Sequence, residues 1–143
     1  MYLRELETGP PRALTPPGVT SEGEPISPDR QFVAADDPAG KLSLYPVAGG
    51  EPRSVPGAAP YDFVFAWSSD GRVIWVSRLA GMPGRIYHLE LASGRRTLWK
   101  ELRPTEPAGV TNIDAVRMAP DAKAYAYSYM RRLSDLYVVE GLK

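Results

Sequence analysis

The chain has 143 residues, 43% of them hydrophobic, and balances 17 lysines and arginines against 17 aspartates and glutamates. That is enough apolar material for a packed core, and too little net charge to draw nucleic acid or an anionic membrane by electrostatics. Cysteine is absent, which excludes disulfides and thiolate metal sites, and no apolar run approaches the ~18 residues of a spanning helix.

The chain opens on MYLRELETG (1–9), charged and alternating, unlike a secretory leader. With the basic-apolar piece PPRALT it makes two short strands within residues 1–18. Residues 19–57 open around GEPIS (23–27), poor in strand formers, and continue through PISPDRQFVAAD (25–36), KLSLYPVAGG (41–50) and EPRSVP. Residues 58–107 hold the fuller series YDFVFAW (61–67), AWSSDGRVIWVS (66–77), RIYHLELASG (85–94) and RRTLWK. Residues 108–143 hold NIDAVRM (112–118), RMAPDAKAYAYS (117–128) and DLYVVEG (135–141). Strict alternation marks half-buried strands, and the 15 prolines and 13 glycines leave no helical stripe intact.

These segments repeat. Asp29, Asp70 and Asp121 coincide, spaced 41 and 51 residues apart, each following an apolar residue (Ile26, Trp67, Met118) and preceding an alternating strand. Tyr2, Tyr87 and Tyr137 share a second position, and Gly9, Gly50 and Gly94 a third. The unit is four antiparallel strands, A to D, with A–B turning on the Asp-containing tetrad, B–C a variable loop and C–D turning on glycine. Such a unit recurring every ~40–50 residues is the signature of a β-propeller. The expected fold is all-β: a partial propeller of about three four-stranded antiparallel blades plus a two-strand N-terminal piece. Closed propellers use about 4–8 blades, so this chain is expected not to close alone and to expose strand edges and apolar blade faces. The expected remedies are membership of a longer propeller, a capping partner, or self-association through the open edges.

Asp29, Asp70 and Asp121 sit where an aspartate can accept backbone N–H bonds from its own turn, and Gly71 supplies a positive φ there without steric cost. The alternative, a ring of carboxylates holding a cation, has less to recommend it, since one aspartate per blade is a local turn device. Asp36 and Asp37, in ADDPAG, are expected in a solvated loop rather than a calcium site, which needs more clustered oxygens. His88, the only histidine, is expected on a strand surface. No GxSxG elbow accompanies it, and one histidine without cysteine makes a poor zinc site. Trp67, Trp75, Trp99, Tyr125, Tyr127 and Tyr129 are expected to pack between blades, the alternative being a stacking surface for a ligand. RLAGMPGR (78–85) and RRLSD (131–135) read as B–C loops, which makes Arg78, Arg85, Arg131 and Arg132 candidate contacts for an acidic partner.

The SPDR, SSDGR and APDAK turns, each followed by an alternating strand and then a Tyr-containing strand, resemble the TolB-type, WD40-like (PD40) propeller repeat, and the resemblance covers nearly the whole chain. The final segment, YAYSYMRRLSDLYVVEGLK, resembles the end of propellers appended to bacterial eukaryotic-like serine/threonine kinases. The chain itself has no glycine-rich phosphate loop, HRD or DFG. The resemblance implies a non-catalytic interaction or sensing module with a protein or peptide partner, no cofactor, no nucleic acid and no membrane insertion, as the C-terminal part of a larger propeller protein. The alternative it implies is an accessory domain of a kinase or a prolyl-oligopeptidase-type hydrolase. The compartment follows the parent: cytoplasmic if Met1 is the start, extracytoplasmic behind a membrane-anchored kinase.

Overall fold

Alternating apolar residues dictate strands, and the glycine and aspartate turns between them dictate hairpins. The computed structural model describes residues 1–4, 9–78, 81–119, 122–134 and 141, and these are all-β, with no helix among them. Strands β1 (Tyr2–Leu3) and β2 (Arg12–Ala13) form a two-stranded sheet, and β3 (Phe32–Asp36), β4 (Leu42–Pro46) and β5 (Arg53–Ser54) a three-stranded one. Strands β6 (Phe63–Trp67), β7 (Val73–Arg78), β8 (Gly84–Glu90) and β9 (Arg96–Leu102) make a four-stranded sheet, and β10 (Val110–Met118) and β11 (Tyr125–Arg131) a two-stranded one. Every pairing is antiparallel between sequence neighbours.

The described residues therefore contain one complete four-stranded unit, within 58–107, while the one expected within 19–57 is three-stranded. The first unit loses its inner strand. Residues 19–27 pair with β3 only through isolated bridges, Thr20 with Asp36 and Ile26 with Val33. The cause is local: Pro25 and Pro28 have no N–H to give a ladder, and Gly23 turns at φ +75°. Glu24 is drawn instead to the next sheet, donating its N–H to the Val64 carbonyl at 3.1 Å and accepting from Trp67 Nε1 at 3.0 Å. The expected strand at 135–141, with Tyr137, lies outside the described residues, apart from Gly141.

The sheets stack in chain order, with an apolar cluster between each successive pair. Val19, Ala35 and Tyr45, with Met1 against them, join the first sheet to the second. Ala34, Leu42 and Val55 meet Val64, Ile74, Val76 and Leu89 between the second and third. Phe65, Trp75, Ile86 and Leu102 meet Ile113, Val116 and Met118 between the third and fourth. The third sheet is thus buried on both faces, and strand alternation supplies both: Ile74 and Val76 point one way, Trp75 the other. A bulge between Val64 and Ala66 swings Phe65 and Ala66 together into the same cluster. Burying a side chain such as Phe65 or Ile86, both inaccessible to solvent, is worth about 1.5–3 kcal/mol.

Exposed apolar side chains remain on the free surfaces, among them Leu98 and Trp99 on β9 and Met130 on β11. On the last sheet, the face away from the core presents Arg117, Ala126 and Ser128, all exposed. The outer strand β9 shifts register between Ile86 and Tyr87 and carries Lys100, two devices that keep an edge from pairing with another chain.

Candidate functional site

The Asp turn is built twice with the same hydrogen bonds. In the first, Asp29 Oδ1 accepts from the Ser27 hydroxyl (2.5 Å) and the Gln31 N–H (3.0 Å), while Phe32 N–H donates to Ser27 Oγ (3.0 Å). In the second, Asp70 Oδ1 accepts from the Ser68 hydroxyl (2.6 Å) and the Arg72 N–H (3.1 Å), while Val73 N–H donates to Ser68 Oγ (3.0 Å). The residue after each aspartate has positive φ: Arg30 at 60° and Gly71 at 68°. The third turn keeps that backbone, with Ala122 at φ 56° and its N–H on the Ala119 carbonyl (2.8 Å), but Ala119 has no hydroxyl to contribute. Asp121 lies outside the described residues. The serine two residues before the aspartate is half of this device, and the sequence repeat, aligned on its aspartates, did not single it out.

The hydrogen bond from the serine hydroxyl, and then the one from the N–H two residues on, hold the Asp29 and Asp70 carboxyls below their ordinary range. Both carboxylates are therefore ionised, and both spend Oδ1 on the turn. Asp70 Oδ2 has Arg72 at 3.9 Å, whereas Asp29 has no ion-pair partner among the described residues.

The two turns come side by side, and between the second and third sheets they border a cleft of about 780 Å³. That lies within the ~300–1,000 Å³ of typical ligand sites. Its floor is apolar, from Phe32, Leu44, Val55, Trp67, Val73 and Leu91. Its rim is charged, from Asp29, Arg53, Asp70, Arg72 and Glu90. Strand β5 places the Arg53 guanidinium 4.3 Å from the Phe32 ring centroid, a cation–π contact, and no described carboxylate pairs with it. Glu90 is satisfied by Arg95 and by the Ser93 hydroxyl (2.9 Å), which together lower its pKa. No sequence pattern pointed to this cleft, because its two walls belong to successive units.

The arginines proposed from the sequence sit elsewhere. Arg85 lies in β8 rather than in a loop, with Nε 3.1 Å from Glu101 Oε1 across to β9. Arg131 is the last residue of β11; its Nη2 donates to the Glu106 carbonyl at 2.5 Å and its guanidinium lies 5.9 Å from the Tyr129 ring. Arg132 follows the strand and donates its N–H to the Gly109 carbonyl at 2.8 Å, closing the β10–β11 hairpin. Arg78 ends β7, and its side chain lies outside the described residues.

Among the aromatics, Trp75 is buried in the core with Tyr125 and Tyr127 against it, and Trp67 packs on the second interface while lining the cleft. Trp99 meets Tyr125 edge-on at 5.7 Å, and Tyr125, Tyr127 and Tyr129 run as a ladder with centroids 6.4 and 6.3 Å apart. His88 faces Trp75 across β7 and β8, edge-on at 5.2 Å.

One carboxylate departs from its sequence reading, and a second, Asp62, was not singled out by it. Asp36 ends β3 half-buried, not in a solvated loop, and its Oδ1 has no hydrogen-bond partner. Burial first, then the nearby charges of Asp62, Asp37 and Glu22, push its carboxyl up to about 6. Asp37 does occupy the turn, accepting from the N–H groups of Ala39 (2.9 Å) and Lys41 (3.0 Å). Asp62, wholly buried, forms a two-pronged ion pair with Arg96, whose guanidinium also stacks 3.9 Å from the Tyr87 ring.

No protein-family model matches this chain, and no curated protein sequence matches it.

Proposed function

We propose that this chain is a partial β-propeller of the TolB-like, WD40-like kind and acts as a non-catalytic interaction module, taking a protein or peptide partner in the cleft between its second and third sheets. The observation that carries the reading is the repeated turn. Two segments 41 residues apart build the same serine–aspartate hydrogen-bond set and stand together at one cleft. The serial stacking of antiparallel sheets supports it, as does the contact of β6 with β10, the opening strands of two successive units, which is the neighbourhood that inner blade strands keep around a propeller axis. The cleft combines an apolar floor with a few charged groups, the usual make-up of a binding pocket.

The test is selection of displayed random peptides against the protein, followed by mapping of the enriched peptides on its amide NMR spectrum. Enriched peptides are expected to shift Phe32, Arg53, Trp67 and Gly71. Enrichment of peptides that shift only other residues, or no enrichment, would refute the reading.

A further inference from the structure

Within the cleft, two opposite charges lack counter-charges among the described residues. Asp29 is an ionised carboxylate whose Oδ1 is occupied by Ser27 and Gln31, while Oδ2 accepts no hydrogen bond from the described residues. Arg53 lies over Phe32 and has neither an ion pair nor a hydrogen bond among the described residues. The two are tied to one local frame, since Phe32, the ring under Arg53, donates its N–H to the same Ser27 hydroxyl that donates to Asp29. No ion pair joins them. The other charges of the rim are matched, Glu90 with Arg95 and Asp70 with Arg72. Leu44, Trp67 and Leu91 line the same cleft with apolar and aromatic surface.

We infer that the cleft binds a short peptide by its two ends: the α-ammonium on Asp29, the α-carboxylate on Arg53, and apolar side chains on the floor. A zwitterion supplies the two counter-charges at once, and a guanidinium held over a ring, with no hydrogen bond spent among the described residues, has its donor fork to offer a carboxylate. The volume admits a dipeptide or tripeptide with bulky side chains. The inference rests on the cleft being the binding site of an interaction module, and it adds the chemistry of the occupant.

The experiment titrates the protein with the dipeptide Leu-Phe and its N-acetyl, C-amide and doubly capped forms, following the amides of Arg53 and Gly71 and the indole N–H of Trp67. Each cap removes one charge-assisted bond, so each is expected to weaken binding about tenfold. Arg53→Gln is expected to erase the difference between Leu-Phe and its amide. Asp29→Asn, which keeps an Oδ1 acceptor for the turn, is expected to erase the difference between Leu-Phe and its acetyl form. Capped and free peptides binding the cleft equally would overturn the inference while leaving the binding-module reading standing. No perturbation of the cleft by any of the four peptides, with enriched library peptides also failing to map there, would overturn both. The caps alter only the ligand, so that comparison holds even if a variant fails to fold.

Discussion

Replacing Asp36 by asparagine is expected to stabilise the protein, and to do so only above mildly acidic pH. The carboxyl ends β3 half-buried, with one oxygen unpartnered and the charges of Asp62, Asp37 and Glu22 around it. These raise it from an ordinary 3.8 to about 6. A folded-state value above the unfolded one means that the fold prefers the protonated carboxyl. Its contribution is fully present below pH 3.8, and it is lost as the pH rises through about 6. A rise of this size corresponds to about 3 kcal/mol, and solvent reaching the half-buried group screens this to ~1–2 kcal/mol. Asparagine keeps the shape without the charge. Urea unfolding followed by tryptophan fluorescence should therefore show Asp36→Asn more stable than the parent by ~1–2 kcal/mol at about pH 8, with the gain shrinking towards zero near about pH 4.5. Other carboxylates titrate in both proteins and cancel in the difference. A gain of the same size at both pH values, or no gain at the higher one, would refute the electrostatic argument.

Asp62→Ala leaves the Arg96 guanidinium without its buried partner and should cost about 3–5 kcal/mol, read from the urea midpoint at constant slope. Ser68→Ala removes the hydroxyl that both accepts from Val73 N–H and donates to Asp70, and should cost about 1 kcal/mol in the same assay. Gly57→Ala places a Cβ against the Gly94 carbonyl oxygen, at a backbone φ of +75°, and should cost upward of ~2 kcal/mol, with Ala58→Gly as a mild control. Gly84→Ala brings a Cβ to 2.6 Å from Ile113 Cγ1 between the third and fourth sheets; amide exchange in β10 should accelerate before that in β3, because only the later interface is wedged apart.

The hairpins were legible because their causes are local. VIWVS and RIYHLE carry their own alternation, which becomes β7 and β8, buried by Ile74, Val76, Ile86 and Leu89. The turn at Asp70 and Gly71 was legible for the same reason, since an aspartate and a positive-φ residue just before a strand make their bonds within the turn. The weak strand-forming character of GEPIS was also visible in its proline and glycine. That this segment would end in isolated bridges, with Glu24 bonded across to Val64 and Trp67, was not.

What the sequence determined by itself is therefore the all-β class, the order of the strands and the chemistry of the turns, because each depends on residues within a few positions of one another. What only the tertiary structure decided is which of these pieces face each other. Asp36 lies next to the turn residue Asp37, yet the approach of Asp62 from the neighbouring sheet helps to raise its pKa. Arg53 and Asp29 are ordinary residues in their own segments, and only the packing of the second sheet against the third brings them to one cleft with Phe32 and Trp67. Contacts between sheets join residues tens of positions apart, and periodicity within a strand says which side chains are buried but not against what.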